Sequence, residues 1–227
     1  MKGLTAMPYS IYPYQNAAGV FDYEFYVRHQ GRMSTKKSHR TFALPEVIAQ
    51  IVRYLQEKDV HPTFGLCHGV RNGNENKWFG ELLPDCVVLG TEIGPLAEQF
   101  PKTIRWDFHE VKPEWIGAVD FIYTNSLDHA YDPERAVKNW VRCLTPSGYC
   151  VIEAWGNAKV INSGSPTDPF SADLDSVIQL VGEWIADRYA IRDVLPLSRT
   201  HIRGFQAHAD AQGGLIMIAR TPQSLVP

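Results

Sequence analysis

Four short stretches of this chain carry side chains that could do chemistry, and each stands at the end of an apolar run. The first, FGLCHGVRNGNE at 64–75, sets Gly65, Gly69 and Gly73 among His68, Arg71 and Asn72. Glycines permit positive φ and close backbone approach, so a ligand could lie against exposed amides at a helix start. Taken alone, this glycine spacing fits a plain strand-to-helix turn equally well. The second stretch, VVLGTEIG, places Glu92 23 residues beyond Gly69. An acid near that distance can accept from the vicinal hydroxyls of a ribose, although a helix-start acid favoured by the dipole would look the same. The third, RWDFHE, offers Asp107 to an adenine amino group and Phe108 to its ring; a surface turn is the plainer alternative. The fourth, NSLDHAYDPERA, brings Asn125, Ser126, Asp128 and His129 together. Histidine is the side chain suited to removing a proton near neutral pH, and it could equally pack or cap a helix.

Those stretches need strands and helices to hold them. From Pro45 onward the chain alternates: Val47, Ile48, Ile51, Val52 and Leu55 make one apolar helical stripe. Strands are expected at HPTFGLC, PDCVVLGTEIG, KTIRWDF, AVDFIYTNS and SGYCVIEAW. Helices are expected at NENKWFGELL, PLAEQF and PERAVKNWVRCL, the last opened by Pro133 and Glu134. Near-continuous apolar strands separated by helices predict a parallel sheet covered on both faces. A final helix at DLDSVIQLVGEWIADR leads to YAIRDVLPL and GGLIMIART, two strands with no helix between them. The expectation is therefore a doubly wound α/β domain, mostly parallel and seven-stranded, closed by a C-terminal antiparallel hairpin. Residues 46–227 would form it. Residues 1–45 would be an N-terminal segment or lid, with a strand at FDYEFYV (21–27) and a basic run at 32–40, either a solvated surface or a flap.

The second half of this pattern resembles the class I S-adenosylmethionine-dependent methyltransferases. The resemblance spans about residues 60–155. It rests on Asp120 opening the fourth strand, the turn with Asn125, Ser126, Asp128 and His129, the Asp132–Pro133 helix start, and the LTPSG turn before the fifth strand. It implies S-adenosylmethionine as cofactor, with contacts from Gly65, Cys67, His68, Gly69, Arg71 and Asn72 of the loop. Further contacts would come from Glu92 with Ile93, Asp107 with Phe108, and Asn125 with Ser126. His129 would serve as base, with Asp128 beside it. The glycine loop departs from the family's acid-x-Gly-x-Gly-x-Gly order: Gly65 stands in the acid's place, Cys67 and Gly69 in glycine places, and Arg71 in the third. His68, Asn72 and Glu75 are the polar residues near enough to compensate.

The implied reaction is methyl transfer to a small-molecule or glycan acceptor, in particular to a hydroxyl. Arg199 and Arg203, with His201 between them, would suit an anionic acceptor; solvated hairpin charges are the alternative. Trp155, Tyr23, Phe25 and Tyr26 could line an acceptor pocket or belong to the core. Two rival readings are a nicotinamide-dependent oxidoreductase, which wants a GxGxxG absent here, and a non-catalytic nucleoside- or partner-binding domain. A net charge of −3 over 227 residues gives no footprint for nucleic acid. No segment has the roughly 20 apolar residues of a membrane span. The four cysteines lie apart in sequence, as in a reduced cytoplasmic protein. No HExxH or paired-histidine motif calls for a metal; Asp128, His129 and Asp132 are the nearest approach to one.

Overall fold

A computed structural model describes residues 9–156, 164–197 and 212–222. Nine strands and five α-helices are seen in this range: β1 (Tyr9–Ile11), α1 (Tyr23–Lys36), α2 (Pro45–Glu57), β2 (Phe64–His68), α3 (Asn74–Leu82), β3 (Val87–Glu92), β4 (Thr103–Arg105), β5 (Val119–Thr124), α4 (Pro133–Arg142), β6 (Leu144–Gly156), β7 (Phe170–Ala172), α5 (Leu174–Ile185), β8 (Tyr189–Leu197) and β9 (Gln212–Arg220). The main sheet runs β4-β3-β2-β5-β6-β9-β8. Its first five strands are parallel, and β9 is antiparallel to both β6 and β8. The order reverses between β2 and β5, so the strand ends there open a crevice.

Alternation along the strands divides the interior in two. Leu66, Ile122, Ile152, Ile216 and Ile218 face α4 and α5, where Val137, Trp140, Val177 and Val181 meet them. Their neighbours Cys67, Phe121, Tyr123, Val151, Leu215 and Met217 face the other way, against Ile48, Ile51 and Leu55 of α2 and Phe79 of α3. Both faces are apolar, which is why these strands read as continuous hydrophobic runs. Each fully buried Ile or Leu here contributes about 1.5–3 kcal/mol.

The sheet's carboxylate staple lies at the end away from the crevice. Asp120 accepts from Thr63 N and Oγ1, Phe64 N and Thr145 Oγ1, tying the starts of β2 and β6 to β5. At the other end of the molecule, β1 pairs antiparallel with β7 and fastens the N-terminal segment to the chain beyond β6.

The expected strand at 21–27 is instead the start of α1. The aromatic content suggests a strand, but Asp22 caps a helix by accepting from Phe25 N at 2.8 Å, and Glu24 sits in the first turn. Tyr26, Gln30 and Met33 then fall on one face, which lies over the crevice. The PLAEQF segment makes only a short 3-10 turn at Ala97–Gln99.

Candidate functional site

The crevice gathers one group from each of four strand ends. Gly69 and Arg71 follow β2, Glu92 and Ile93 close β3, Asp107 and Phe108 follow β4, and Ser126 and His129 follow β5. Helix α1 covers them with Tyr26, Gln30, Met33, Ser34 and Lys37. As α1 lies, the space enclosed is about 40 Å³, room for one or two waters. Anything the size of a nucleoside enters only if α1 gives way.

The backbone of the glycine loop is shaped for this crevice. Gly69 (φ 73°) and Gly73 (φ 71°) adopt the left-handed conformation, and a Cβ on Gly69 would lie 2.5 Å from Ser126 Oγ. Arg71 shares that conformation at φ 49°, strained for a residue with a side chain. Its amide donates to Glu92 Oε2 at 2.9 Å, and its guanidinium carbon lies 4.7 Å from the Phe42 ring. Glu92 Oε1 accepts from Gly94 N at 2.8 Å, so two backbone amides fix this carboxylate at the crevice wall.

Asp107 is held from two sides. Oδ1 accepts from His109 N at 3.0 Å and from the His109 ring at 2.7 Å, while Oδ2 accepts from the Tyr23 hydroxyl of α1 at 2.9 Å. Burial raises its pKa, but the His109 and Tyr23 bonds outweigh that and hold it below the ordinary aspartate value. His109 is fully buried, stacked 3.8 Å from the Tyr131 ring centroid.

His129 sits in the 3-10 turn Leu127–His129 after β5. Its Nδ1–H donates to Thr167 O at 2.8 Å, which places the proton on Nδ1 and leaves the Nε2 lone pair available. Asp168 lies 3.6 Å from Nδ1 and Asp128 3.9 Å from Nε2, both half-exposed. These three side chains form a loose His/Asp grouping. Asp132, the second acid of the grouping considered from the sequence, instead caps α4 through Arg135 N at 3.0 Å.

Six of the residues singled out in the sequence stand away from the crevice. Gly65 pairs with Phe121 across the sheet, and a Cβ there would come within 2.3 Å of the Phe121 ring. The family's acid has no room at that place. Cys67 is fully buried in the α2–α3 core. The His68 side chain stacks on Trp140 at 5.5 Å and meets Thr91 Oγ1 at 2.8 Å; burial, then His109, lowers its pKa to about 3, so it is neutral. Asn72 turns outward and donates to Ser38 O and Arg40 O, fastening the segment after α1. Asn125 accepts from Ser126 Oγ at 3.2 Å, and Asp128 is half-exposed, 3.9 Å from His129 Nε2.

Of the aromatic residues considered for an acceptor pocket, Tyr26 lines the crevice, Tyr23 bonds Asp107, and Phe25 packs edge-on to Tyr14. Trp155 donates to Glu153 on the α2–α3 side. Arg199, His201 and Arg203 lie outside the described residues. The α1 face and the Thr167–Asp168 contact escaped the sequence reading; the Asp22 cap and the Tyr26/Gln30/Met33 spacing were the available signals for the helix.

Strand order and crevice together define the fold of the class I S-adenosylmethionine-dependent methyltransferases. Among solved structures, the chain is similar to the Burkholderia thailandensis 1,6-didemethyltoxoflavin-N1-methyltransferase bound to 1,6-didemethyltoxoflavin and S-adenosylhomocysteine. That match has TM-score 0.64 and 14% identity, covering 93% of this chain and 94% of that one. It is also similar to the (4+2)-cyclase SpnF, at TM-score 0.57 and 13% identity over 75% and 80% of the two chains. Against the mitomycin 7-O-methyltransferase MmcR the TM-score is 0.53 at 11% identity, over 86% of this chain but 54% of MmcR. No family model matches the sequence, and no curated protein does. No helix among the described residues is long and apolar enough to cross a membrane. The four cysteines are buried and unpaired.

Proposed function

We propose that this chain binds S-adenosylmethionine in the crevice and methylates a hydroxyl of a small-molecule or glycan acceptor. The observation that carries this reading is the convergence of Gly69 and Arg71, Glu92, Asp107 with Phe108, and Ser126 with His129 from successive strand ends. The residues fit the group: Glu92 and Asp107 offer acceptors to ribose hydroxyls and an adenine amine, Phe108 an apolar ring, and the loop a buried polar atom without a partner, Arg71 Nε. Bound there, the cofactor supplies an electrophilic methyl group on sulfur.

The chain's own contribution is alignment and proton removal. Holding an acceptor in line is worth up to about 7–11 kcal/mol in favourable cases. His129, its Nδ1–H fixed on Thr167 O, presents Nε2 to take the hydroxyl proton. Helix α1 covers the crevice and leaves room there for no more than a water or two. An acceptor bearing negative charge would draw on Arg199 and Arg203.

The experiment is transfer of a labelled methyl group from S-adenosylmethionine to hydroxyl-bearing acceptors. His129→Ala should lose about a hundredfold or more in turnover while still binding S-adenosylhomocysteine. Full turnover in that variant would remove His129 as the base. A second reading, cofactor binding without methyl transfer, is favoured by the fold likeness to a protein whose name is that of a cyclase. It predicts binding with no label transferred to any acceptor.

A further inference from the structure

A second cavity lies along another flank of α1, and no residue lines both it and the crevice. Its volume is about 720 Å³, within the range of small-molecule pockets. Tyr23 and Val27 of α1 and Pro95 after β3 give it an apolar lining, while Arg28, Arg32 and Lys36 of α1 and Arg105 of β4 are set around them. Glu24 is the one acid in the lining. Among the described residues no ion pair joins any of the four cations to a carboxylate. Arg105 keeps only a long bond, from Nε to Ile93 O at 3.4 Å. On α1 the cations succeed one another at every fourth residue, so they repel along one flank of the helix. Charge that serves solubility alone is mixed in sign. This chain has a net charge of −3 and yet gathers unpaired cations around a concave apolar surface, which is the electrostatic form of an anion site.

We propose that this groove binds a soluble phosphomonoester with an aromatic or otherwise apolar body, and that the bound phosphate clamps α1 to β4. A phosphomonoester brings nearly two negative charges and three acceptor oxygens, enough to engage guanidinium groups on both elements at once. A single carboxylate would meet one arginine and leave the others facing each other. The body of the ligand would lie on the Tyr23 ring, which is 44% exposed, and on the exposed Pro95. Helix α1 gives a different set of side chains, Tyr26, Gln30 and Met33, to the crevice, so a ligand in the groove has the helix between itself and His129. It is an effector and not a methyl acceptor.

The groove is built on the segments that also form the crevice. Arg105 stands two residues before Asp107, which accepts from Tyr23, and Pro95 stands two residues after Ile93. Gly31 is buried where the helix crosses this turn; a Cβ there would lie 3.4 Å from Pro95 Cδ, so α1 rests directly on it. An anion bridging Arg28 or Arg32 to Arg105 therefore holds α1 down. Since a nucleoside enters the crevice only when α1 lifts, the anion and the nucleoside oppose each other, each weakening the other by the same factor. The anion site itself does not depend on the reading given under Proposed function; only this opposition does.

The test is calorimetric titration of the whole chain with phenyl phosphate, inorganic phosphate and phenol. Phenyl phosphate should bind one to one and about tenfold or more tighter than inorganic phosphate, and phenol should not bind. Arg32→Gln and Arg105→Gln should each weaken phenyl phosphate about tenfold or more. Arg53→Gln, which removes the same charge from an exposed site on α2 outside the groove, should leave it unchanged. Arg32→Gln relieves repulsion on α1, so its melting temperature should not fall, and weaker binding would not reflect unfolding. Saturating phenyl phosphate should slow amide exchange across α1 by about fivefold in wild type and not in Arg105→Gln. The proposal is overturned if inorganic phosphate binds as tightly, if Arg53→Gln weakens binding as much as the groove variants, or if exchange in α1 does not change. It is also overturned if vesicles containing phosphatidic acid capture the protein through Arg32 and Arg105 while phenyl phosphate does not bind, which would make the groove a membrane contact. Titration with S-adenosylhomocysteine reads the crevice separately: phenyl phosphate binding without it would keep the groove assignment and remove the cofactor reading.

Discussion

The Tyr23 hydroxyl of α1 donates to Asp107 Oδ2 at 2.9 Å, so the helix over the crevice is bonded to the acid at its floor. Two further ties hold α1 down: Tyr26 donates to His129 O at 3.3 Å, and Gln30 donates to Pro166 O and Thr167 O at 3.1 Å. Because the enclosed space admits only a water or two, α1 must lift for a nucleoside to enter, and the Tyr23 bond must break or rearrange.

Removing that bond should loosen the cover. Tyr23→Phe keeps the ring and deletes one hydrogen bond, worth about 1 kcal/mol. Amide hydrogen exchange across α1 should then quicken by about fivefold under conditions where the rest of the sheet is unchanged. Unaltered exchange in α1 would mean that Tyr23 does not hold the helix closed.

An acid at position 65 should harm this protein. Gly65→Asp would push a carboxylate into the Phe121 ring at a fully apolar contact. Overpacking costs about 1–3 kcal/mol, and the buried charge adds to that. Even Gly65→Ala should lower the melting temperature, and a Gly65→Asp protein as stable as wild type would refute the packing role.

Glu75 sets a pH dependence of stability whose sign is unusual for a carboxyl. Its folded-state pKa of about 8 lies above the ordinary value of 4.5. Between those two pH values the folded state binds the proton that the unfolded state has released, so stability falls as pH rises through this window and levels off above about 8. Glu75→Gln removes the ionisation. Its stabilising effect should be small near pH 5 and reach on the order of 2 kcal/mol, about 4–8 °C in Tm, above pH 8. Equal melting shifts at both pH values would contradict the assignment.

Asp120 has the opposite sign. Its backbone and hydroxyl donors outweigh burial and hold its pKa below the ordinary value, so its contribution is present above that value and is lost as pH falls through the folded one. Asp120→Ala should cost about 2 kcal/mol at neutral pH, a figure set by its hydrogen bonds and reduced for partial exposure. Ligand affinity should not change, since the staple lies at the far end of the strands. A loss of affinity without a loss of stability would place Asp120 in the site.

Much of this architecture was legible in the sequence, for physical reasons. A strand buried on both faces must be apolar throughout, so VVLG, VDFIY and YCVIEA identified themselves, and Glu92 after the first of them and Ser126 and His129 after the second lie in the crevice. Register was not legible. Nothing in FGLCHG shows that Phe121 sits opposite Gly65, and nothing in YTNSLDHA shows that His129 meets Thr167, 38 residues later. The start of α1 was misread because Phe21, Tyr23, Phe25 and Tyr26 favour strands by type, whereas the Asp22 cap and the partners of Tyr26 and Gln30 made it a helix. The fold also overrode the family template in the loop, where Asn72 serves the segment after α1 and not the crevice.

The most direct test of the central claim is calorimetric titration of the wild-type protein with S-adenosylhomocysteine, repeated with Glu92→Ala. The convergence of four strand ends predicts saturable one-to-one binding in the micromolar range that is lost in the variant. Binding that is absent or only millimolar, or that is indifferent to Glu92, would contradict it.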